Sequence, residues 1–159
     1  MTLDGAIWHL TTLWLSFILP LTAQEASKPN FSGTWKLNLK KSMLQIPAPS
    51  STTFYIVHKD PKFRLTRTHV YGEKKDTWSI DLTTDGKEHY QKDGDFETRT
   101  RLYWEGSSLI LDMKLRNKAE EGTNVVRYSL TDGGRTFVAV ERLRSPNHSH
   151  DNTWIFDKQ

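Results

Sequence analysis

Glycine recurs at turn positions along this chain, each time between two short runs in which apolar and polar residues alternate. Tyr71-Gly72-Glu73, Asp85-Gly86, Asp93-Gly94, Glu105-Gly106, Glu121-Gly122 and Asp132-Gly133-Gly134 all carry this punctuation. Glycine reaches positive φ without a side-chain clash, which is what tight hairpin turns select. Between the turns, runs such as Phe54-Tyr55-Ile56-Val57 and Phe63-Arg64-Leu65-Thr66-Arg67 read as strands with one face to bury. No helix-period segment of useful length occurs beyond residue 24. The pattern therefore predicts an all-β antiparallel meander of about eight to ten strands.

Short connections make sequence neighbours pair, so an up-and-down β-barrel is favoured over a sandwich, whose Greek-key crossings need a long connection. Only Lys41 to Ser51 and Ser145 to Asn152 could supply one. The first of these, with Pro47 and Pro49, reads as an irregular excursion with room for a turn of helix and as the candidate lid. A meander loses its exposed edges by pairing its first strand with its last, and Thr153-Trp154-Ile155-Phe156 is placed to do so. A barrel of this size either fills its interior with side chains or keeps space for one small ligand.

Ala6 to Leu21 is apolar apart from hydroxyls and His9, and it runs through Leu21-Thr22-Ala23 into polar Gln24-Glu25. That is the layout of a secretory signal peptide with a small-residue cleavage site. Residues 1–23 are read as the leader and residues 24–159 as one barrel domain, secreted or periplasmic. Pro20 breaks the run before it spans a bilayer, and the mature chain is expected to have no stable membrane span. The chain has no cysteine, which excludes disulfides, thiolate metal sites and cysteine nucleophiles. Its formal charge of +3 is spread over alternating strands with no clustered basic footprint, so nucleic acid is not an expected partner. A monomer is expected.

Gly33-Thr34-Trp35 opens the first strand, and the late strand Val138-Ala139-Val140-Glu141-Arg142 follows about 100 residues later. In this the chain resembles the lipocalins and the wider calycin group. The resemblance implies a barrel closed at one end by Gly33 and Trp35, with Arg142 packed across the indole as a structural cation–π contact. The run Phe31 to Asn38, Lys41-Ser42, the Pro-rich excursion, Thr84-Asp85-Gly86-Lys87 and Asp157-Lys158-Gln159 are similar to secreted lipocalin-like proteins of environmental bacteria. That likeness extends over the whole mature chain. The disulfide and the clear C-terminal helix of the larger family are absent from the pattern.

Period-two alternation assigns an interior face to each strand: Phe54, Ile56 and His58; Phe63, Leu65, Arg67 and His69; Trp78, Ile80 and Leu82; Phe96, Thr98, Thr100, Leu102 and Trp104; Leu109, Leu111, Met113 and Leu115; Val126, Tyr128 and Leu130. Aromatic walls with a few polar groups suit a pocket for an apolar or amphipathic molecule. They equally suit a filled core. The candidate ligand-binding set is Phe54, Leu65, Arg67, His69, Trp78, Ile80, Phe96, Leu102, Trp104, Leu111, Met113 and Tyr128.

Arg67 and His69 stand out because buried cations need partners. A ligand carboxylate would suit the planar guanidinium, with Tyr128 offering a hydroxyl. Equally, a bulge would put both residues in solvent, or a protein carboxylate would pair with Arg67. His148-Ser149-His150-Asp151 has metal-ligand residue types, with His58 or His89 as a conceivable third ligand, but it reads as a polar hairpin loop. Neither a metal nor a cofactor is assigned. Acidic residues such as Asp81, Asp112 and Glu141 occur singly, and no catalytic residue is assigned. The expected function is non-covalent binding of a small apolar or amphipathic ligand, acids among the candidates. The alternatives are a filled-barrel interaction protein of the cell envelope, or an isomerase or cyclase on the same fold.

Overall fold

The computed structural model describes residues 28–159, so the leader and its cleavage point lie outside the described residues. Ten strands follow one another: β1 (Gly33–Leu37), β2 (Ser51–Lys59), β3 (Lys62–Tyr71), β4 (Lys74–Thr83), β5 (His89–Asp93), β6 (Phe96–Glu105), β7 (Ser108–Arg116), β8 (Glu121–Thr131), β9 (Thr136–Arg144) and β10 (Ser149–Lys158). A single 3-10 turn at Asp132–Gly134 links β8 to β9. All pairings are antiparallel, in the order β4-β3-β2-β1-β10-β9-β8-β7-β6-β5. The chain is thus an all-β, antiparallel up-and-down β-barrel, as its alternation predicted. No helix among the described residues is long and apolar enough to cross a membrane.

β1 and β10 join the two halves of the meander, with Trp35 opposite Lys158 and Leu37 opposite Phe156. The gap lies elsewhere: β4 and β5 are consecutive in sequence yet do not pair. At one end of that gap the connecting residues reach across, Thr84 N–H donating to Pro61 O at 2.8 Å and Gly86 N–H to Leu102 O at 3.0 Å. Elsewhere the two strands present unpaired edges, which carry Lys74, Lys75, Asp76, Lys92 and Asp93. Charged edge strands of this kind resist pairing with another chain.

The interior divides into two regions. Around Trp35 it is solid. Phe31, Trp35, Phe137 and Phe156 are fully buried, and Phe137 lies 5.5 Å from Trp35 and 5.9 Å from Phe31, centroid to centroid. Trp35 Nε1–H donates to Phe31 O at 2.9 Å, so the indole leaves no buried donor unpaired. The Asp60 carboxylate ties in the other edge, accepting from Trp104 Nε1 at 2.9 Å and from the Thr84 hydroxyl at 2.5 Å. Tyr128, 5.4 Å from Phe137, and Phe54, 4.4 Å from Phe156, form the floor on which the other region begins.

Residues 38–50 form neither a helix of any length nor a lid. After a single turn at Asn38 to Ser42 the segment runs along β10: Met43 and Thr153 exchange backbone hydrogen bonds of 2.8 and 2.7 Å, and Asn152 Oδ1 accepts from Gln45 N–H at 2.8 Å. Pro47 and Pro49 stop a helix, and strapping to β10 satisfies the backbone instead. Likewise Ser149 to Asp151, expected in a loop, is the start of β10.

The cation over Trp35 is Lys158, 5.3 Å from the ring centroid, and Arg142 is not involved. The physical reason is parity. Phe137, Ala139 and Glu141 point inward on β9, which puts Arg142 on the exposed face, with Asp151 and Val125 as cross-strand neighbours. Gly33 makes room for the lysine: its φ of +144° suits glycine, and a Cβ there would sit 3.2 Å from Lys158 Cε. Trp35→Ala is expected to destabilise the barrel by about 3–5 kcal/mol. Lys158→Ala is expected to cost about 0.5–1 kcal/mol, and Arg142→Ala to stay within about 0.5 kcal/mol of wild type. Urea unfolding of the three variants checks this ranking, and a larger loss for Arg142→Ala than for Lys158→Ala would refute the Lys158 assignment.

Candidate functional site

Beyond the aromatic floor the barrel holds a cavity of about 430 Å³. That lies within the range typical of small-molecule pockets. Every strand but β1 contributes to its walls, among them Leu65 and Trp78 on β3 and β4, Phe96 on β6, Leu111, Met113 and Leu115 on β7, Val126 on β8 and Ala139 on β9, with Trp154 of β10 completing the ring. Trp78, Gln91, Asp93 and Phe96 line it where β4 and β5 separate, and Phe96 is 45% exposed. The gap in the ladder and the mouth of the cavity therefore coincide.

Of the candidate ligand-binding residues, Phe54, Leu65, Arg67, His69, Trp78, Phe96, Leu111, Met113 and Tyr128 line this cavity. Ile80, Leu102 and Trp104 do not. Ile80 and Leu102 are packed core residues, and Trp104 sits 5.8 Å from His58 and 6.1 Å from Phe31 in the solid region. Strand parity fixes the face a side chain takes, but not its height along the barrel. None of residues 38–50 lines the cavity either.

Arg67 is already partnered. Its Nη2 donates to Asp76 Oδ2 at 2.8 Å, and its guanidinium lies 5.5 Å from the Trp78 ring centroid. Its Nε is buried with no hydrogen-bond partner. His69 Nδ1 and the fully buried Thr52 hydroxyl lie 2.7 Å apart, and the imidazole stacks on Trp154 at 5.7 Å. Burial first, then the neighbouring Arg67 charge, lowers the pKa of His69 to about 4, against the weaker pull of Asp76 and Glu141. At neutral pH it is an uncharged ring. The Tyr128 phenol is pushed up by burial and is likewise neutral.

The polar centre of the cavity is Glu141, whose side chain is 17% exposed. Asn124 Nδ2 donates to its Oε1 at 3.0 Å, while Asn152 Nδ2 and Trp154 Nε1 each donate to Oε2 at 2.9 Å. His150 Nε2 stands 3.8 Å from Oε2. Glu141, Asn124 and Trp154 all line the cavity. The sequence carried a signal for them: extending period two from Phe137 through Ala139 reaches Glu141, and from Phe156 back through Trp154 reaches Asn152. His150 faces this cluster, whereas His148 is 72% exposed beside Glu120, so the two imidazoles do not converge. No group of three or more potential metal ligands occurs among the described residues.

No protein-family model matches this chain, and no curated protein matches it. No sequence match supports the closer likeness to proteins of environmental bacteria. Among solved structures the fold is similar to a secretory abundant heat soluble protein from Ramazzottius varieornatus, with a TM-score of 0.58 and 9% identity over 86% of this chain and 100% of that one. It is also similar to human cRBP IV, with a TM-score of 0.54 and 12% identity over 82% of this chain and 99% of that one. Zebrafish ileal bile acid-binding protein complexed with cholic acid gives a TM-score of 0.52 and 15% identity over 81% and 98%. Likeness at such identities is one of fold.

The lowered pKa of His69 has a consequence for stability. An unfolded chain takes up a proton near the ordinary histidine value of 6.5, whereas the folded chain resists until about 4. Between those values the unfolded state binds more protons, so the contribution of His69 is complete above 6.5 and is lost as pH falls toward 4. The stability difference between wild type and His69→Gln is expected to shift against wild type across that window. Urea titrations at stepped pH measure it, and an NMR titration midpoint for His69 near 6.5 would contradict it.

Proposed function

We propose that this protein binds one small apolar or amphipathic molecule, without covalent chemistry, in the barrel interior. The cavity of about 430 Å³, walled by Leu65, Leu111, Met113, Val126 and Trp154 and open along the β4 and β5 edges, is the observation that carries this reading. Burial of ligand area against those walls supplies the affinity, at roughly 25 cal/mol per Å² before association costs are subtracted. Arg67, His69, Tyr128 and Glu141 orient the polar end. The zebrafish protein of similar fold is complexed with cholic acid, an amphipathic molecule, which supports a ligand of that class here. A leader at residues 1–23 would make this a secreted or periplasmic carrier, acting as a monomer.

Native mass spectrometry of the protein purified from its own host, followed by extraction of whatever remains bound, tests the proposal. A lipid, sterol or pigment at near-stoichiometric occupancy is the expected result. A clean apo mass together with no tryptophan quenching by an apolar ligand panel would refute it. Ala139, 2% exposed and facing the cavity, provides the control. Ala139→Phe should fill the space and weaken binding at least about tenfold, while any loss of stability stays within the roughly 1–3 kcal/mol typical of overpacking.

A further inference from the structure

We infer that the cavity selects an apolar molecule whose head is a hydrogen-bond-donating cation, a protonated amine, in preference to a carboxylate. This rests on the carrier reading above and names the chemistry of its polar end.

Three features of the cavity point that way. First, the Glu141 carboxylate is held by three neutral donors and by no lysine or arginine among the described residues, so no permanent cation answers it; its nearest basic neighbour is His150, 3.8 Å away. A largely buried carboxylate without a permanent counter-charge favours an opposite charge brought by a ligand. Second, the network leaves an acceptor free. A carboxylate only accepts, so the Asn124 amide must turn its Nδ2 toward Glu141, and its Oδ1 is left buried with no hydrogen-bond partner. Asn152 shows the contrast, because its own Oδ1 is taken by the Gln45 N–H.

Third, the cationic side of the cavity is spent. Arg67 is the one lysine or arginine that lines it among the described residues, and Asp76 holds it at 2.8 Å. Asp93 lines the mouth from β5 and adds a further negative charge. His69 and His150 are the remaining basic groups near the cluster, the first hydrogen-bonded to Thr52 and the second 3.8 Å from Glu141. One feature pulls the other way: Arg67 Nε is a buried donor without a partner and would suit an acceptor. An unmade hydrogen bond at a guanidinium whose charge is already answered is the smaller cost. A ligand carboxylate would have to share the interior with Glu141 and Asp93.

Three ligands with the same twelve-carbon chain, dodecylamine, dodecanol and dodecanoate, separate the possibilities. Each is titrated below its micellar concentration at pH 7 against protein loaded with Nile red, a neutral apolar probe. Dodecylamine is expected to displace the probe at least tenfold more tightly than dodecanoate, with dodecanol between them. Glu141→Gln should reduce the ratio of amine to acid to less than threefold. Asp76→Asn, at an exposed position, should release Arg67 and raise dodecanoate affinity severalfold. Dodecanoate binding as tightly as the amine in wild type would overturn the head-group inference and leave the carrier reading standing. If neither Nile red nor any of the three ligands binds, the carrier reading fails and this inference falls with it.

Discussion

Backbone pairing between β1 and β10 converts a linear meander into a container, and the remaining features follow from it. Without that pairing, β1 and β10 would be two further unprotected edges and the apolar face would open to water. With it, the remaining unpaired edges are β4 and β5, which meet each other across a gap instead of facing bulk solvent on opposite sides. Trp35 makes the closure strong at one end. It sits on β1 between Lys158 of β10 and Phe137 of β9, with its indole N–H satisfied by Phe31, so one residue ties the strand pairing to the aromatic packing beneath it.

The asymmetry of the barrel follows from where its large side chains fall. Phe31, Trp35, Phe137 and Trp104 fill the region near the closure, and cross-links through Asp60 and Gly86 hold the strand gap together there. Toward the other region Ala139 replaces a phenylalanine on the inner face of β9, and medium-sized Leu111, Met113 and Val126 line the facing strands. The same fold thus fills one region and leaves space in the other. A polar network around Glu141 persists in that space because each of its donors has an acceptor; two of the four buried side-chain polar atoms without a partner among the described residues, Asn124 Oδ1 and Arg67 Nε, belong to residues that line the cavity, while His58 Nε2 and Thr100 Oγ1 do not. Unsatisfied polar atoms are uncommon in native interiors, and the two at this cavity are available to a ligand's polar end.

Much of this was legible in the residues. An approximate strand number, antiparallel order, closure by the C-terminal run and the inward faces of β2 to β4 and β6 to β8 all follow from period-two alternation and turn glycines. What was not legible divides by cause. Arg142 is the residue implied by the family resemblance, but the alternation of β9 sends it outward and leaves the place over Trp35 to Lys158. Arg67 was visible as a cation on an apolar face; that its partner would be Asp76 depends on the register of β3 against β4, in which His69 rather than Arg67 stands opposite Asp76 and the guanidinium reaches diagonally. Glu141 was visible only as a single acid, since its partners Asn124 and Asn152 come from β8 and β10, on either side of β9.

The sequence by itself determined the periodic part of this protein: which residues turn, which alternate, and hence that ten short strands would bury one face in a closed sheet. Those properties are local, set by backbone sterics and by the two-residue repeat of a strand. Only the tertiary structure decided where the barrel stays open, which cation covers Trp35, and which acid accepts the hydrogen bonds of Asn124, Asn152 and Trp154 in the cavity. Each of these depends on register and on height along the barrel axis, and so on contacts between residues far apart in the chain, which no local pattern encodes.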